Sequence, residues 1–359
     1  MRSWSYCVGN PAYQLSRDTT KDTPVYNNFM DEAYKIADIV EMITPARFLF
    51  NAGATPKEWN KKMLEDEHFK VLDYEPDSTK VFQNTDIKGG VAIHYRDNSK
   101  VFGSIDTFTA YSELNGIRNK MASIQNFVSL NSIMYPYSTY TLSDELWKDF
   151  PDLKQSVEHI AKNRNNLSRK EKEGKLSNLR IITTNIFDLL PDLFYDNKPN
   201  DEHEYIQLLG RQNNSRCTKW IKRKYIVVGG NFDKWKVIIP KSNGSGAIGE
   251  VLSTPLVGVP LVGYTQTYLG IGAFDTESEA KNCYKYICSK FSRVCLGILK
   301  ITQDNPPEKW RYTPIQDFSS NSDIDWNASI SNIDKQLYKK YGLTQKEIEF
   351  IETNVKEMQ

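Results

Sequence analysis

The residues with the clearest chemical potential form one short turn near the amino terminus, Asn10-Pro11-Ala12-Tyr13. The apolar residues 5–8 (SYCV) precede it, and this pattern predicts a strand that ends in a turn. An asparagine side-chain oxygen and a backbone carbonyl both accept hydrogen bonds from an amino group, and proline fixes φ so that its carbonyl has a set direction. The aromatic Tyr13 offers a flat face for stacking. The alternative interpretation is a plain structural turn.

Other kinds of reactive site are not indicated. The odd number of cysteines and the lack of a Cys-x-x-Cys pair argue against a disulfide framework and a structural zinc site. The cysteines are Cys7, Cys217, Cys283, Cys288 and Cys295, and the histidines are His68, His94, His159 and His203. No two histidines have the spacing of metal ligands, so we predict no metal site.

Composition sets the broad class. A chain of 359 residues is long enough for two or three domains, and 12% aromatic residues can support a real core. Lys plus Arg total 46 and Asp plus Glu total 45, so any basic surface must be local. No apolar run reaches the roughly 18 residues that span a bilayer, and the amino terminus lacks a signal-peptide pattern. We therefore expect a cytoplasmic protein without a membrane partner.

Strand and helix patterns alternate through the first hundred residues, which predicts a mainly parallel sheet with helices packed on it. Farther along, Thr276-x-x-Glu279 and Thr344-x-x-Glu347 are capping boxes that predict helix starts. The first should open one helix whose apolar stripe runs from Ala280 to Ile298. Residues 162–180 are highly charged and predict a loop or a solvated helix.

The turn resembles the Asn-Pro-Pro-Tyr catalytic loop of DNA amino-methyltransferases. Further stretches resemble the methyltransferase part of single-chain type II restriction-modification proteins, so the resemblance covers nearly the whole chain. These stretches are residues 40–50 (VEMITPARFLF), 81–91 (VFQNTDIKGGV), 240–246 (PKSNGSG), 301–305 (ITQDN) and 321–326 (NSDIDW).

The resemblance implies an adenine-N6 DNA methyltransferase that takes its methyl group from S-adenosylmethionine and acts on double-stranded DNA. Asn10 and Pro11 would accept hydrogen bonds from the adenine amino group and direct its lone pair at the donor. Tyr13 would stack on the base after it is flipped from the duplex. Phe82 would stack opposite, although an ordinary core side chain is the alternative interpretation.

This chain departs from the family pattern at two places. Ala12 replaces a proline, which costs rigidity and no hydrogen-bonding group. The family places a glycine-rich S-adenosylmethionine motif before the catalytic loop, and only nine residues precede Asn10. The expectation is a truncated chain, a second chain that supplies the cofactor-binding half, or a protein that has lost catalysis. Cofactor-binding residues therefore stay unknown.

Two further patterns are candidates for DNA contact. Residues 244–249 (GSGAIG) match Gly-x-Gly-x-x-Gly, but Pro255 and Pro260 follow where a cofactor loop needs a helix. A recognition loop with Lys241 near a DNA phosphate is the favoured interpretation. Basic residues with a tryptophan among them include Arg211, Lys222 and Arg223, which are candidate phosphate contacts; a solvated basic face is equally consistent.

We therefore predict an α/β fold with a partial doubly wound, Rossmann-like methyltransferase sheet in residues 1–105. A mixed α/β target-recognition domain should cover residues 106–310, and a helical tail residues 311–359. The predicted function is an adenine-specific methyltransferase of a restriction-modification system, or its carboxyl-terminal part. The alternative is a non-catalytic DNA-binding or specificity subunit that needs a partner chain.

Overall fold

The computed structural model describes residues 4–15, 23–83, 87–109, 111–153, 180–300 and 303–358. The chain divides into two compact units, Met1–Asn115 and Gly116–Gln359. Both units contain helices and sheets, so the predicted mixed α/β class is confirmed. Most of the charged stretch at 162–180, together with residues 84–86 and 301–302 of the family-like stretches, lies outside the described residues.

The first unit contains six strands and three helices in its described part, the third helix running into the second unit. The strands are β1 (Trp4–Gly9), β2 (Gln14–Leu15), β3 (Thr23–Pro24), β4 (Ala37–Pro45), β5 (Phe69–Glu75) and β6 (Val91–Asp97). The helices are α1 (Tyr26–Ile36), α2 (Lys57–Glu65) and α3 (Ser112–Ala122).

The main sheet of this unit has the order β1-β4-β6-β5. Strands β1 and β4 pair in parallel, joined by the crossover helix α1. Strand β6 is antiparallel to both β4 and β5, so the prediction of a mainly parallel sheet is wrong. The reason is local: the described part of the connection from β5 to β6 contains only a short 3-10 turn at Ser78–Lys80, and antiparallel neighbours need no crossover helix.

The core of the first unit lies under one face of this sheet. Val40 and Met42 on β4 are buried there against Met30 of α1 and Met63 of α2. Phe48, which is fully buried, packs against Trp59 with ring centroids 5.1 Å apart. The alternating burial along β4 follows the period-2 pattern of a strand with one covered face.

The second unit contains nine strands and six further helices in its described part. The strands are β7 (Met134–Tyr135), β8 (Thr141–Leu142), β9 (Tyr205–Gln212), β10 (Ser215–Lys222), β11 (Ile226–Val227), β12 (Trp235–Pro240), β13 (Leu256–Gly258), β14 (Val262–Tyr264) and β15 (Tyr268–Phe274). The helices are α4 (Asp144–Asp149), α5 (Ile186–Leu189), α6 (Glu277–Cys288), α7 (Lys290–Gly297), α8 (Ile330–Lys340) and α9 (Gln345–Asn354).

The larger sheets of this unit have the orders β13-β12-β15-β7 and β10-β9-β14. Both predicted capping boxes are present, at Thr276 before α6 and at Thr344 before α9. The single helix predicted from Ala280 to Ile298 is instead two helices. Ser289 lies between them in an extended conformation, and its hydroxyl accepts the Ser292 amide as the cap of α7.

The described ranges contain neither a membrane-spanning helix nor a cluster of metal-binding side chains. None of the helices there has the length and apolarity needed to cross a bilayer. No group of three or more His, Cys, Asp or Glu side chains in those ranges is placed to hold a metal ion.

Candidate active site

Two parallel strands bring the chemically interesting residues to one edge of the sheet. Strand β1 ends at Gly9, directly before Asn10, and its register places Gly9 opposite Met42 of β4. Strand β4 then ends at Pro45, two residues before Arg47. Since parallel strands end at the same edge of a sheet, the loops that follow β1 and β4 share the position where α/β sheets bind ligands.

Two backbone interactions hold the Asn-Pro loop. The Val25 amide donates to the Tyr13 carbonyl at 3.1 Å, and Gln14 pairs with Pro24 across strands β2 and β3. Asn10 is exposed, and its side-chain amide forms no hydrogen bond with a described residue. The loop backbone is therefore fixed while the Asn10 oxygen stays available as an acceptor.

The Tyr13 side chain is half-buried and packs against the core of the first unit. Burial raises the pKa of its hydroxyl to about 12, so the phenol is neutral at physiological pH. That hydroxyl is buried and finds no hydrogen-bond partner in the described part of the chain. The contact that Tyr13 makes is therefore made by its ring.

Phe82 lies against Tyr13, at the end of the turn that follows β5. The two ring centroids are 6.2 Å apart and the ring planes make an angle of 67°. The Phe82 amide donates to the Ser78 carbonyl at 2.8 Å, which anchors the turn. An edge-to-face pair leaves no parallel slot for a base between the rings, so the structure differs here from the expected sandwich around a base.

A cavity of about 520 Å³ opens beside the Asn-Pro loop. Asn10, Pro11 and Tyr13 line it from the loop, and Tyr26 and Arg47 are among the other lining residues. Its volume falls in the range of small-molecule pockets. The sequence-predicted catalytic residues thus meet at one cavity.

The charged lining is cationic. Arg47 and Lys88 both reach the cavity, and the Arg47 Nε donates to the Lys88 carbonyl. Tyr26 is buried, and burial raises the pKa of its hydroxyl to about 12 although Arg47 and Thr55 oppose the shift. No His, Cys, Asp or Glu is among the described residues that line the cavity. The described lining residues can accept hydrogen bonds, stack and attract anions, and none of them is a carboxylate, imidazole or thiol that could act as a general base.

The glycine-rich stretch at 244–249 is filled by a side chain of the protein itself. The Glu250 carboxylate accepts the Ser245 amide at 2.9 Å, the Gly246 amide at 3.1 Å and the Ser245 hydroxyl at 2.7 Å. These hydrogen bonds hold the pKa of Glu250 below its ordinary value against the opposing effect of its burial. The element that follows is the short strand β13, so no helix opens from this loop.

The four predicted DNA contacts all lie in the second unit, but not in one cluster. Arg211 faces Arg216 at the hairpin end of β9 and β10, whereas Lys222 and Arg223 lie at the other end of β10. Arg216 and Lys222 are six residue steps apart along the strand, which is about 20 Å. Arg223 donates to the Ile226 carbonyl at 2.8 Å, and the Lys241 ammonium lies 4.6 Å from the Tyr137 ring centroid.

Sequence reasoning assigned no role to Arg47, although it lies within a family-like stretch. The available signal was its position two residues after Pro45, which closes the apolar run at residues 39–44. Its neighbourhood with Asn10 depends on pairing between β1 and β4, which sequence spacing alone does not specify.

Comparison with known proteins bears on the segment that builds this site. Residues 3–82 match the family described as Eco57I restriction-modification methylase. This match supports the predicted resemblance to a restriction-modification methylase and includes Asn10, Pro11, Tyr13, Arg47 and Phe82. None of the curated proteins matches the chain significantly.

Two solved structures are similar over most of the chain. The type IIG restriction endonuclease BpuSI is 10% identical with a TM-score of 0.31, over 88% of this chain and 44% of that one. The type IIL restriction-modification enzyme MmeI, solved in complex with DNA, is 10% identical with a TM-score of 0.38, over 98% of this chain and 56% of that one. The chain thus spans about half the length of each of these enzymes.

Proposed function

We propose that this chain provides the adenine-binding side of an adenine-N6 DNA methyltransferase of a restriction-modification system. The observation that carries the proposal is the Asn10–Tyr13 loop, which lines a cavity at the carboxyl edge of two parallel strands. The same segment matches a restriction-modification methylase family. Cytoplasmic double-stranded DNA is the proposed substrate.

The chemistry of the acceptor explains the residue types. The adenine amino nitrogen is a weak nucleophile because its lone pair is delocalised into the ring. The Asn10 side-chain oxygen and the Pro11 carbonyl accept its two hydrogens, which favours a pyramidal nitrogen with a directed lone pair. Direct transfer to that nitrogen needs no covalent enzyme intermediate, in keeping with a cavity whose described lining has no His, Cys, Asp or Glu.

Stacking would hold the base outside the duplex. Flipping costs a few kcal/mol, and stacking on an aromatic ring returns about 1–3 kcal/mol per base. Tyr13 lines the cavity and offers its ring face. Phe82 packs against Tyr13 in an edge-to-face pair, so we propose that it supports the Tyr13 ring.

The methyl donor implied by the family is S-adenosylmethionine, which supplies an electrophilic methyl group. The described residues do not fit it: the glycine-rich loop at 244–249 is filled by Glu250 and opens no helix. We propose that another polypeptide segment or a second chain holds it. Lys241, Arg211, Lys222 and Arg223 remain proposed DNA contacts of the second unit.

The test compares native chain with Asn10→Ala, each co-expressed with the products of the adjacent reading frames in a host that lacks adenine methylation. We expect N6-methyladenine in host DNA with the native chain and its near-complete loss with Asn10→Ala. DNA retention by the purified proteins should stay the same, because Asn10 acts on the transition state. Lost retention with unchanged methylation would contradict this role.

The second candidate is a non-catalytic DNA-binding or specificity subunit. The occupied glycine-rich loop favours it, because the described residues then offer no donor site. In that case both proteins retain DNA equally, and host DNA carries no N6-methyladenine that depends on Asn10.

A further inference from the structure

We propose that Arg47 binds a phosphate that borders the flipped adenine nucleotide. This inference rests on the proposed function, since it names a contact to the same substrate at the same cavity. Arg47 lines the cavity together with Asn10, Pro11 and Tyr13. A flipped nucleotide brings two backbone phosphates toward the cavity that receives its base, and each carries a negative charge.

The fold holds the Arg47 side chain in a defined place. Gly53 and Gly89 both have positive φ, at 83° and 90°, and both lie against its aliphatic stem. A Cβ at Gly89 would come within 2.8 Å of the Arg47 Cγ, and one at Gly53 within 3.2 Å of its Cβ. The Ala46 amide donates to the Gly90 carbonyl at 3.0 Å, which ties this turn to the segment before β6.

The guanidinium is oriented by a backbone carbonyl, and no carboxylate of the described residues pairs with it. Its Nε donates to the Lys88 carbonyl, which fixes the plane of the group. Within the described ranges Arg47 forms no ion pair with a carboxylate. Its two terminal nitrogens can therefore present the paired donors that match phosphate oxygens.

A backbone phosphate suits this position better than another anion. The base-contacting side chains of the proposed function line the same cavity, and a nucleotide carries its phosphate and its base on one sugar. The carboxylate of the methyl donor is the rival anion. We assign the guanidinium to DNA because it shares the cavity with the base-contacting residues, and contact with the donor carboxylate is the rival outcome of the test.

The experiment measures binding of small probes to the full-length chain by ligand-observed NMR titration. The probes are deoxyadenosine, the trinucleotide dTpdApdT, and two versions of it with a neutral methylphosphonate at one linkage or the other. We expect the native chain to bind the trinucleotide about tenfold more tightly than deoxyadenosine. One of the two neutral linkages should remove this difference.

Arg47→Gln should also remove the difference while leaving deoxyadenosine affinity unchanged, and the neutral linkage should then have no further effect. Arg47→Lys keeps the charge without the paired donors and should retain part of the difference. Lys61→Gln is the matched loss of a positive charge, since Lys61 is exposed and its only ion pair among the described residues is with Glu65 on the surface of α2. Urea midpoints near the native value would show that each variant is folded.

Several outcomes overturn the proposal. One is an equal effect of the neutral linkage on native chain and Arg47→Gln, and another is an equal loss of deoxyadenosine and trinucleotide affinity. S-adenosylmethionine is titrated as a further probe, and a loss confined to its binding would assign Arg47 to the donor carboxylate. Tyr13→Ala tests the proposed function separately from the Arg47 contact. It should weaken binding of deoxyadenosine and of the trinucleotide alike. If it changes neither affinity, the base site of the proposed function is wrong, whatever the Arg47 variants show.

Discussion

The rings of Tyr13 and Phe82 meet edge to face, with centroids 6.2 Å apart and planes at 67°. Tyr13 lines the cavity, while the described lining does not include Phe82. The two aromatic residues of the proposed base site therefore have different positions: Tyr13 lines the cavity, and Phe82 packs against Tyr13. Their variants should separate contact with the base from support of the ring.

Tyr13→Phe should retain most activity, because the Tyr13 hydroxyl has no hydrogen-bond partner in the described chain. Tyr13→Ala should lower methylation roughly ten- to a hundredfold, because stacking contributes about 1–3 kcal/mol. The measurement is single-turnover methylation of duplex DNA and of a duplex with a mismatched target adenine. The mismatched adenine is already partly unstacked, so the Ala defect should shrink there. A Phe variant as damaged as the Ala variant would show that the ring face is not what matters.

Phe82→Leu should lower affinity for deoxyadenosine a few-fold, because the edge contact that orients Tyr13 is lost. An aromatic pair contributes about 0.5–1.5 kcal/mol beyond its buried area. Phe82→Tyr keeps the ring and is the matched control. If both variants bind deoxyadenosine like the native chain and Leu only lowers the urea midpoint, Phe82 is an ordinary core residue.

Local sequence signals predicted much of the fold. Helices start at Thr276 and Thr344 because each threonine forms a capping box. The threonine side chain accepts the backbone amide of the glutamate three residues later, and the glutamate side chain accepts the backbone amide of the threonine. The strand before Asn10 was also predictable from a local signal, the apolar run at residues 5–8. The Ser289 break was not, because the apolar stripe continues in phase across it and only the extended Ser289 conformation divides the helix.

Nonlocal features were out of reach of such signals. Strand direction in β6 depends on which neighbour it pairs with, and spacing along the chain does not determine that. The place of Arg47 beside Asn10, and the capture of the 244–249 amides by Glu250, depend likewise on tertiary contacts. Residue types predicted hydrogen-bond acceptors and an aromatic ring in the loop at residues 10–13. The position of the Arg47 guanidinium at the same cavity was found only in the structure.

Glu250→Ala should loosen the loop at 244–249, because the Ser245 and Gly246 amides lose their carboxylate partner. Hydrogen exchange of these amides should accelerate, and the free energy of unfolding should fall by about 1–3 kcal/mol. Glu250→Gln keeps one acceptor oxygen and should show a smaller effect. Exchange that is unchanged in Glu250→Ala would mean that the carboxylate does not hold the loop. Tight S-adenosylmethionine binding that appears only in Glu250→Ala would instead mark this loop as a donor site closed by its own side chain.

His94 should make the first unit sensitive to acid. It is fully buried, and burial lowers the pKa of its imidazole to about 3. The unfolded chain takes up this proton near pH 6.5, so stability falls as pH drops below that value, by about 1.4 kcal/mol per pH unit. His94 Nε2 shares a hydrogen bond with the Thr44 hydroxyl at 3.1 Å, so the variant that removes both partners is His94→Phe with Thr44→Val. The native-minus-variant difference in unfolding free energy should decrease from pH 7 to pH 5, and a constant difference would contradict a buried neutral histidine.

Asp334 should show the opposite sign in the second unit. It is buried, and burial raises the pKa of its carboxyl to about 6. The nearby Glu352 adds to this shift, while Arg293 and the amides of Lys290 and Phe291 oppose it. The native state therefore binds the proton more tightly than the unfolded chain, and the contribution of Asp334 to stability declines as pH rises from about 4 to about 6.

The matched variant is Asp334→Asn, which cannot ionise and keeps one oxygen for the two amides at the start of α7. Native and variant chains are unfolded in urea at several pH values, with hydrogen exchange of α7 and α8 peptides reporting on the second unit. The native-minus-variant free energy should fall by about 1.4 kcal/mol per pH unit within that window and level off above it. A difference that instead rises with pH would mean that hydrogen bonds to the two amides outweigh burial, and that Asp334 is an ordinary ionised cap of α7.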